Sequence, residues 1–253
     1  MLHPISLLFL LLLSPHFTAP LVLSRASFLK AFVTIAITPY DNYAPTYDIL
    51  DDNIASNQLK FLGLSEGRSK LLSNSYGSVL EICAGTGINL PYYPKNKLKS
   101  LTMLDISPNM LKLAEDRVES FPCADVRFDV ADVTNENYLL KKCGEQAFDT
   151  VVDTFSLCVL NTNTIKTLTL VKRLVKPDGK ILLFENSRSD NELVGSYQDL
   201  TAKAIAKKGG GGKGCVYNQR VEDLIKEAGL VVESRTDYGG GLFRAFVCIR
   251  GGE

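Results

Sequence analysis

Five carboxylates, Glu81, Asp105, Asp132, Asp153 and Glu185, each stand at or near the end of a short apolar run. A glycine-rich turn, Gly85-Thr86-Gly87, follows the first of them. Glycines let the backbone come close to a ligand, and an acid at a strand end can accept hydrogen bonds from ribose hydroxyls or hold an ammonium group. Together they suit a nucleotide-like cofactor. The two histidines, His3 and His16, lie in the first 16 residues. That excludes a Ser-His-Asp triad, a histidine base and histidine-ligated metals from the body of the chain. Any base must then be Asp, Glu, Tyr, Lys or Cys. The six cysteines, at 83, 123, 143, 158, 215 and 248, show no CxxC spacing, so no metal site or disulfide framework is predicted.

The acids must be positioned by the elements around them. "SVLEIC" (78–83), "LTMLDI" (101–106), "VRFDVAD" (126–132), "FDTVVDTF" (148–155) and "KILLFE" (180–185) read as strands. "LVVESRT" (230–236) and "LFRAFVCI" (242–249) read as two closing strands. Ser107-Pro108 opens a helix, with serine as N-cap and Met110, Ala114 and Val118 on one face. Ile165, Leu168, Val171 and Val175 mark another, which Pro177-Asp178-Gly179 is expected to stop. A third carries Val221, Leu224, Ile225 and Ala228, with Asn218 as its expected cap and Gly229 as its exit. This alternation predicts an α/β fold: a doubly wound, mostly parallel seven-stranded sheet, helices on both faces, the last strand antiparallel. Ligands of such sheets sit at the carboxyl ends of the strands, where the five acids fall.

Two cofactors compete for the turn. A dinucleotide turn reads G-x-G-x-x-G, and here Leu90 occupies the third glycine position. An NAD-dependent reductase therefore remains an alternative, with a partial match. "KKGGGGKG" (207–214) fails as a phosphate loop, because Lys207 and Gly214 stand where glycine and Ser or Thr are needed. It reads as a surface loop. Residues 200–221 hold no acid and carry Lys203, Lys207, Lys208, Lys213 and Arg220, a strip that suits solvent or an anionic membrane surface.

"VLEICAGTG" (79–87) resembles the first motif of class I S-adenosylmethionine-dependent methyltransferases. "FDTVVDTFSLC" (148–158) and "LVKRLVKPDGKILLFE" (170–185) resemble the fourth- and fifth-strand segments of that family. More narrowly, "YDNYAPTYD" (40–48), "CAGTGINLPYYP" (83–94), "KILLFENSRSD" (180–190) and "GCVYNQRVEDLIKEAGL" (214–230) resemble the Oms1-type, methyltransferase-like-7 group of membrane-associated enzymes. The resemblance implies S-adenosyl-L-methionine as cofactor. It implies Glu81 on the ammonium side, Asp105 on the ribose hydroxyls and Asp132 on the adenine amino group. Cys83, Ala84, Gly85, Thr86, Gly87, Asn89, Ile106, Val133, Asp153 and Tyr43 would complete the cofactor pocket. Asp153 would also be the catalytic or positioning acid, and Tyr47 could close over the methionine end. Cys83 departs from the family, which carries glycine there. "DTFS" (153–156) replaces the N/D-P-P-Y/F signature of nucleobase amino methylation.

Residues 1–40 contain no acid, and Arg25 and Lys30 are their only cationic side chains. "ISLLFLLLL" (5–13) has the length of a signal-peptide core and is too short to span a bilayer. Residues 1–39 are thus expected to be a targeting leader or membrane anchor, and 40–253 a methyltransferase domain. Equal counts of basic and acidic side chains, 28 each, argue against a nucleic-acid partner. The expectation is a monomeric enzyme that methylates a small or lipid-soluble acceptor, a thiol, phenol or quinone precursor, in a membrane-associated or organellar setting: mitochondrion, endoplasmic reticulum or secretory-route plastid. A non-catalytic assembly or binding protein that keeps the fold is the other alternative.

Overall fold

The computed structural model describes residues 40–42, 44, 45, 47, 62–118, 125–207 and 215–252, side chains excepted at 161 and 203–207. The leader expected over 1–39 lies outside them. Among the described residues no helix is long and apolar enough to cross a membrane.

Seven strands form one sheet: β1 (Gly77–Ile82), β2 (Leu98–Asp105), β3 (Val126–Val130), β4 (Phe148–Thr154), β5 (Val175–Asn186), β6 (Leu230–Tyr238) and β7 (Phe243–Arg250). Their order is β3-β2-β1-β4-β5-β7-β6. β1 to β5 pair in parallel, and β7 runs antiparallel to both β5 and β6. The chain winds outward from β1 to β3, then crosses back to β4 beside β1. That reversal opens a crevice beyond the ends of β1 and β4.

Successive residues of a strand face opposite sides. Val151, Ile181 and Leu183 join one apolar cluster, while Val152, Leu182 and Phe184 join the other. Helices cover both faces, so both sides of the central strands must be apolar, which explains their uninterrupted runs. On one face lie α1 (Leu64–Leu72) and α2 (Pro108–Val118), through Leu71, Leu72, Leu111 and Ala114. The other face holds α3 (Glu136–Cys143), α4 (Leu157–Leu160), α5 (Thr164–Leu174) and α7 (Val221–Glu227), through Leu139, Leu157, Leu168, Val171, Val221 and Ile225. A further helix, α6 (Glu192–Lys207), follows β5.

Two local expectations differ from the structure. Asn218 does not cap α7; its Nδ2 donates to Asp199 Oδ1 at 2.9 Å, and Arg220 occupies the cap position without a side-chain bond. Pro177-Asp178-Gly179 does not end α5 either. The helix stops at Leu174, and the three residues lie inside β5 where its pairing with β4 is irregular, between the Phe148↔Val175 and Thr150↔Lys180 pairs. The Ser107 cap is present, its Oγ accepting from Met110 N at 3.2 Å.

The turn after β1 lies against α2. Gly87 has φ +77°, and a Cβ there would sit 2.9 Å from Leu90 Cδ1 and 3.0 Å from Ala114 Cβ. A Gly87→Ala chain should therefore lose about 1–3 kcal/mol of stability through crowding and a left-handed backbone, read as a lower denaturant midpoint at unchanged m. Gly85, whose Cβ would meet nothing within 4 Å, should tolerate alanine with the smaller, purely conformational loss.

Candidate active site

The end of β1 turns through three left-handed residues, Cys83 (φ 50°), Gly85 (φ 56°) and Gly87 (φ 77°). Ala84 N donates to Leu104 O at 2.9 Å and Gly85 N to Asp105 Oδ2 at 2.8 Å, tying the turn to β2. The other Asp105 oxygen accepts from Ser107 N at 2.8 Å. Burial raises the Asp105 pKa, and these backbone donors offset only part of the rise. Ser107 Oγ donates to Asp41 Oδ1 at 2.6 Å, so Asp41 is held at the same corner.

Glu81 lies beneath the turn, 2% exposed. Its Oε1 accepts from Asn89 Nδ2 at 2.8 Å and its Oε2 from the Tyr93 hydroxyl at 2.9 Å. Arg68 of α1 donates to Asn89 Oδ1 at 2.6 Å, and its guanidinium stands 5.0 Å over the Phe155 ring. Desolvation still pushes Glu81 up to about 7, despite the Asn89 and Tyr93 bonds and the Arg68 charge. Glu185 is fully buried and accepts from Ser156 N and Leu157 N, both at 3.2 Å, closing the start of α4. Asp153 differs from its neighbours. It is fully buried, and neither carboxylate oxygen has a hydrogen-bond partner of good geometry among the described residues; the same holds for Ser156 Oγ. Burial pushes Asp153 up to about 7; Ser156 beside it pulls the other way, the Glu81 charge adds to the rise, and the Thr154 N–H opposes it. The Cys83 thiol is held well above its ordinary value, by burial first and then by Asp153 and Asp105. It stays neutral and is no nucleophile.

A cavity of about 1070 Å³ opens above this acidic floor. Pockets for drug-sized ligands span roughly 300–1,000 Å³, so a cofactor and an acceptor fit together. Among the predicted site residues, Cys83, Gly85, Asp105, Ile106, Asp132 and Val133 line it, as does Tyr47. Asp132 is exposed, with Oδ1 accepting from Thr134 N at 2.8 Å. Glu81, Asn89 and Asp153 are buried below the lining rather than on it, and Ala84, Thr86 and Gly87 form the back of the turn. Tyr43 lies outside the described residues. The structure adds Tyr40, Arg68, Phe155, Cys158, Cys215 and Phe243 to the lining. Arg68 lies between the 40–48 and 79–87 motifs, and nothing in its own segment marks it. Phe155 has φ 60°, a conformation that no strand pattern foretells.

Residues 79–179 match the family described as a methyltransferase domain. The strand order and the turn after β1 accord with that match. The chain is 27% identical over 201 residues to the mitochondrial methyltransferase OMS1 of Saccharomyces cerevisiae, covering 74% of this chain and 42% of that one. The chain thus spans less than half the length of this relative. Among solved structures, the 1,6-didemethyltoxoflavin-N1-methyltransferase of Burkholderia thailandensis, with bound S-adenosylhomocysteine, superposes at TM-score 0.56 and 16% identity, covering 92% of this chain and 93% of that chain. The mitomycin 7-O-methyltransferase MmcR superposes at TM-score 0.57 and 16% identity, covering 83% and 59%. At these identities the likeness to the solved structures is one of fold.

Asp153 sets a pH dependence. Its folded pKa is raised, so the ligand-free fold takes up a proton relative to the unfolded chain. The stability this gives is complete below about pH 4 and is lost as pH rises through about 7. Asp153→Asn should remove that loss. The variant should gain of order 1–4 kcal/mol over the parent at pH 8 and much less at pH 5, read by denaturant titration at both.

Proposed function

We propose that this protein is an enzyme that transfers the methyl group of S-adenosyl-L-methionine to a small or lipid-soluble acceptor: a thiol, a phenol or a quinone precursor. One observation carries the reading. Buried carboxylates, one without a hydrogen-bond partner of good geometry among the described residues, lie beneath a largely apolar cavity. A cation brought to that floor would relieve the repulsion among them, and the cofactor carries both an ammonium and a sulfonium. A dinucleotide brings a doubly negative pyrophosphate instead, and the turn lacks the third glycine that would favour it.

Asp105 would hold the ribose hydroxyls and Asp132 the adenine amino group, with Ile106 and Val133 beside the base. Gly85 and the Cys83 backbone would border the amino-acid portion, and Glu81 would supply its counter-charge. When bound, the sulfonium supplies an already activated methyl group. The chain then has to aim the acceptor and exclude water, and positioning alone contributes about 7–11 kcal/mol in favourable cases. Tyr40, Leu64, Phe155, Val159, Leu160 and Phe243 form apolar walls. Among the described lining residues, Arg68, Asp105 and Asp132 carry the formal charges, which favours a neutral acceptor. Burial raises the Tyr40 hydroxyl to about 12, so it serves as a hydrogen-bond donor rather than a base. Asp153 lies below the lining and acts by its charge, as a positioning residue. A thiol or phenol that ionises readily needs little further help.

The apolar, acid-free sequence of residues 1–39 and the mitochondrial relative support an organellar, membrane-associated setting. The test pairs binding with turnover. S-adenosylhomocysteine should bind and NADH should not, in a direct titration. Labelled S-adenosylmethionine should pass its methyl group to at least one of a panel of thiols, phenols and quinone precursors. Tight NADH binding without S-adenosylhomocysteine binding would refute the proposal; binding without transfer to any acceptor would favour a non-catalytic protein. Asp105→Asn should weaken S-adenosylhomocysteine about tenfold or more. Alanine there leaves both the Gly85 and Ser107 N–H groups without their acceptor, whereas asparagine keeps an acceptor for one of them, so the asparagine chain disturbs the turn less.

A further inference from the structure

Two thiols stand in the cavity wall with no role in the proposed methyl transfer. Cys158 lies in α4, 5% exposed, and Cys215 is half-buried in the segment before α7. Both line the cavity, and both sulfurs act on the Tyr40 hydroxyl of the same wall. Their backbones run side by side, since Val216 N donates to Cys158 O at 2.8 Å. The thiols meet as well. A hydrogen bond with Cys215, and burial after it, hold the proton on Cys158, so Cys158 is the donor and the Cys215 sulfur the acceptor. Phe155 O, 3.7 Å from Cys158 Sγ, is the alternative acceptor for that proton. On another side Cys158 Sγ accepts from Asn186 Nδ2, also at 3.7 Å.

The fold brings these two together from distant parts of the chain. Glu185 accepts from Ser156 N and Leu157 N and fixes the start of α4. The 215–219 segment is held from three directions. Gln219 Nε2 donates to Leu157 O at 3.3 Å, Gln219 O accepts from Arg188 N at 2.9 Å, and the Tyr217 hydroxyl donates to Thr201 Oγ1 at 2.6 Å. Two thiols in contact, on backbones that lie side by side, meet what a disulfide requires. The other described cysteines are placed differently. Cys83 shares the cavity, but burial, Asp153, Asp105, Ser156 and Glu185 govern its thiol. Cys248 is fully buried in β7, and Cys143 ends α3.

We propose that Cys158 and Cys215 form a reversible dithiol–disulfide couple in the cavity wall, oxidised by a low-molecular-weight disulfide such as glutathione disulfide. Cys215 is the more exposed of the two and reacts first. It loses its proton, and its thiolate attacks one sulfur of the small disulfide, whose S–S bond breaks to release one thiol. Cys158 then gives up its proton, attacks the Cys215 sulfur of the mixed disulfide and displaces the second small thiol. Two S–H bonds are lost and one S–S bond forms in the protein; two electrons and two protons leave on the two small thiols. The new bond ties α4 to the 215–217 segment and fixes the wall between them, and reduction frees it. The couple does not rest on the methyl-transfer reading and is measured without cofactor or turnover.

The test equilibrates the full-length chain, below its unfolding temperature, in glutathione buffers of rising oxidised-to-reduced ratio. Free thiols are then alkylated in denaturant and the peptides mapped by mass. The parent should lose two of its six alkylatable thiols together and yield a peptide linked through Cys158 and Cys215; dithiothreitol should restore both thiols. Cys215→Ser should keep Cys158 alkylatable at the ratio that oxidises the parent, because Cys158 is too buried to start the exchange. Cys158→Ser should instead hold Cys215 as a mixed disulfide with glutathione. Thermal unfolding checks that each serine chain is folded. Phenylarsine oxide, which bridges two adjacent thiols with loss of water, gives a reading on the parent that needs no variant. It should protect Cys158 and Cys215 from alkylation together and be displaced by a dithiol. Parent-like thiol loss in Cys215→Ser, a linkage through any other cysteine, or a parent whose two thiols stay alkylatable at every ratio overturns the proposal.

Discussion

Carboxylates buried at the carboxyl edge of the parallel sheet are the constraint around which the site is arranged. Removing an ion from water costs several kcal/mol unless partners replace the hydration, and each acid meets that cost differently. Glu81 takes Asn89 and Tyr93, and through Asn89 it anchors Arg68 and hence α1. Glu185 takes the first N–H groups of α4 and fixes where that helix begins. Asp105 takes the N–H groups of Gly85 and Ser107, so one side chain sets both the β1 turn and the start of α2. Asp153 takes none of good geometry among the described residues. Three acids are spent on assembling the edge of the sheet, and the fourth leaves a demand that the protein alone does not meet.

The two strands that flank the switch point end alike. Cys83 after β1 and Phe155 after β4 both adopt left-handed backbones, which cost an L-residue roughly 1–2 kcal/mol. Both are lining residues. The bend at Phe155 lets its ring lie against Phe184, at 5.0 Å between centroids, with Arg68 stacked over it. The bend at Cys83 keeps the turn close to Asp105. Cysteine is small enough to fit, and its thiol, surrounded by carboxylates, stays protonated. Strain at these two positions accompanies a cavity whose floor is acidic and whose walls are apolar.

The central strands, α2 and the edge acids were legible in the sequence because each has a local cause. Continuous apolar runs follow from burial on both faces, and Ser107-Pro108 encodes its own helix start. Features that depend on distant partners were not legible. Asn218 has the right chemistry for a cap, but Asp199 claims its side chain. Val175 belongs by period to a helix and by pairing to β5. Arg68 gains its role only when α1 meets Asn89. The buried positions described on α6 are Gly195 and Gln198, not an apolar stripe. In the site, spacing identified the acids, but not which of them would be satisfied. Glu81 and Asp153 look equivalent as letters, and the fold gives one a well-formed network and the other only poorly aligned neighbours, Ser156 and the Thr154 N–H.

That difference bears on turnover under the proposed reaction. The methyl donor would carry a positive sulfonium and the product a neutral thioether. An ionised Asp153 or Glu81 near that charge would favour the donor over the product. Burial pushes both acids up to about 7, so the arrival of a cation would favour their ionisation and its loss their reprotonation. Proton binding and product release would then be coupled through two side chains that lie below the cavity lining.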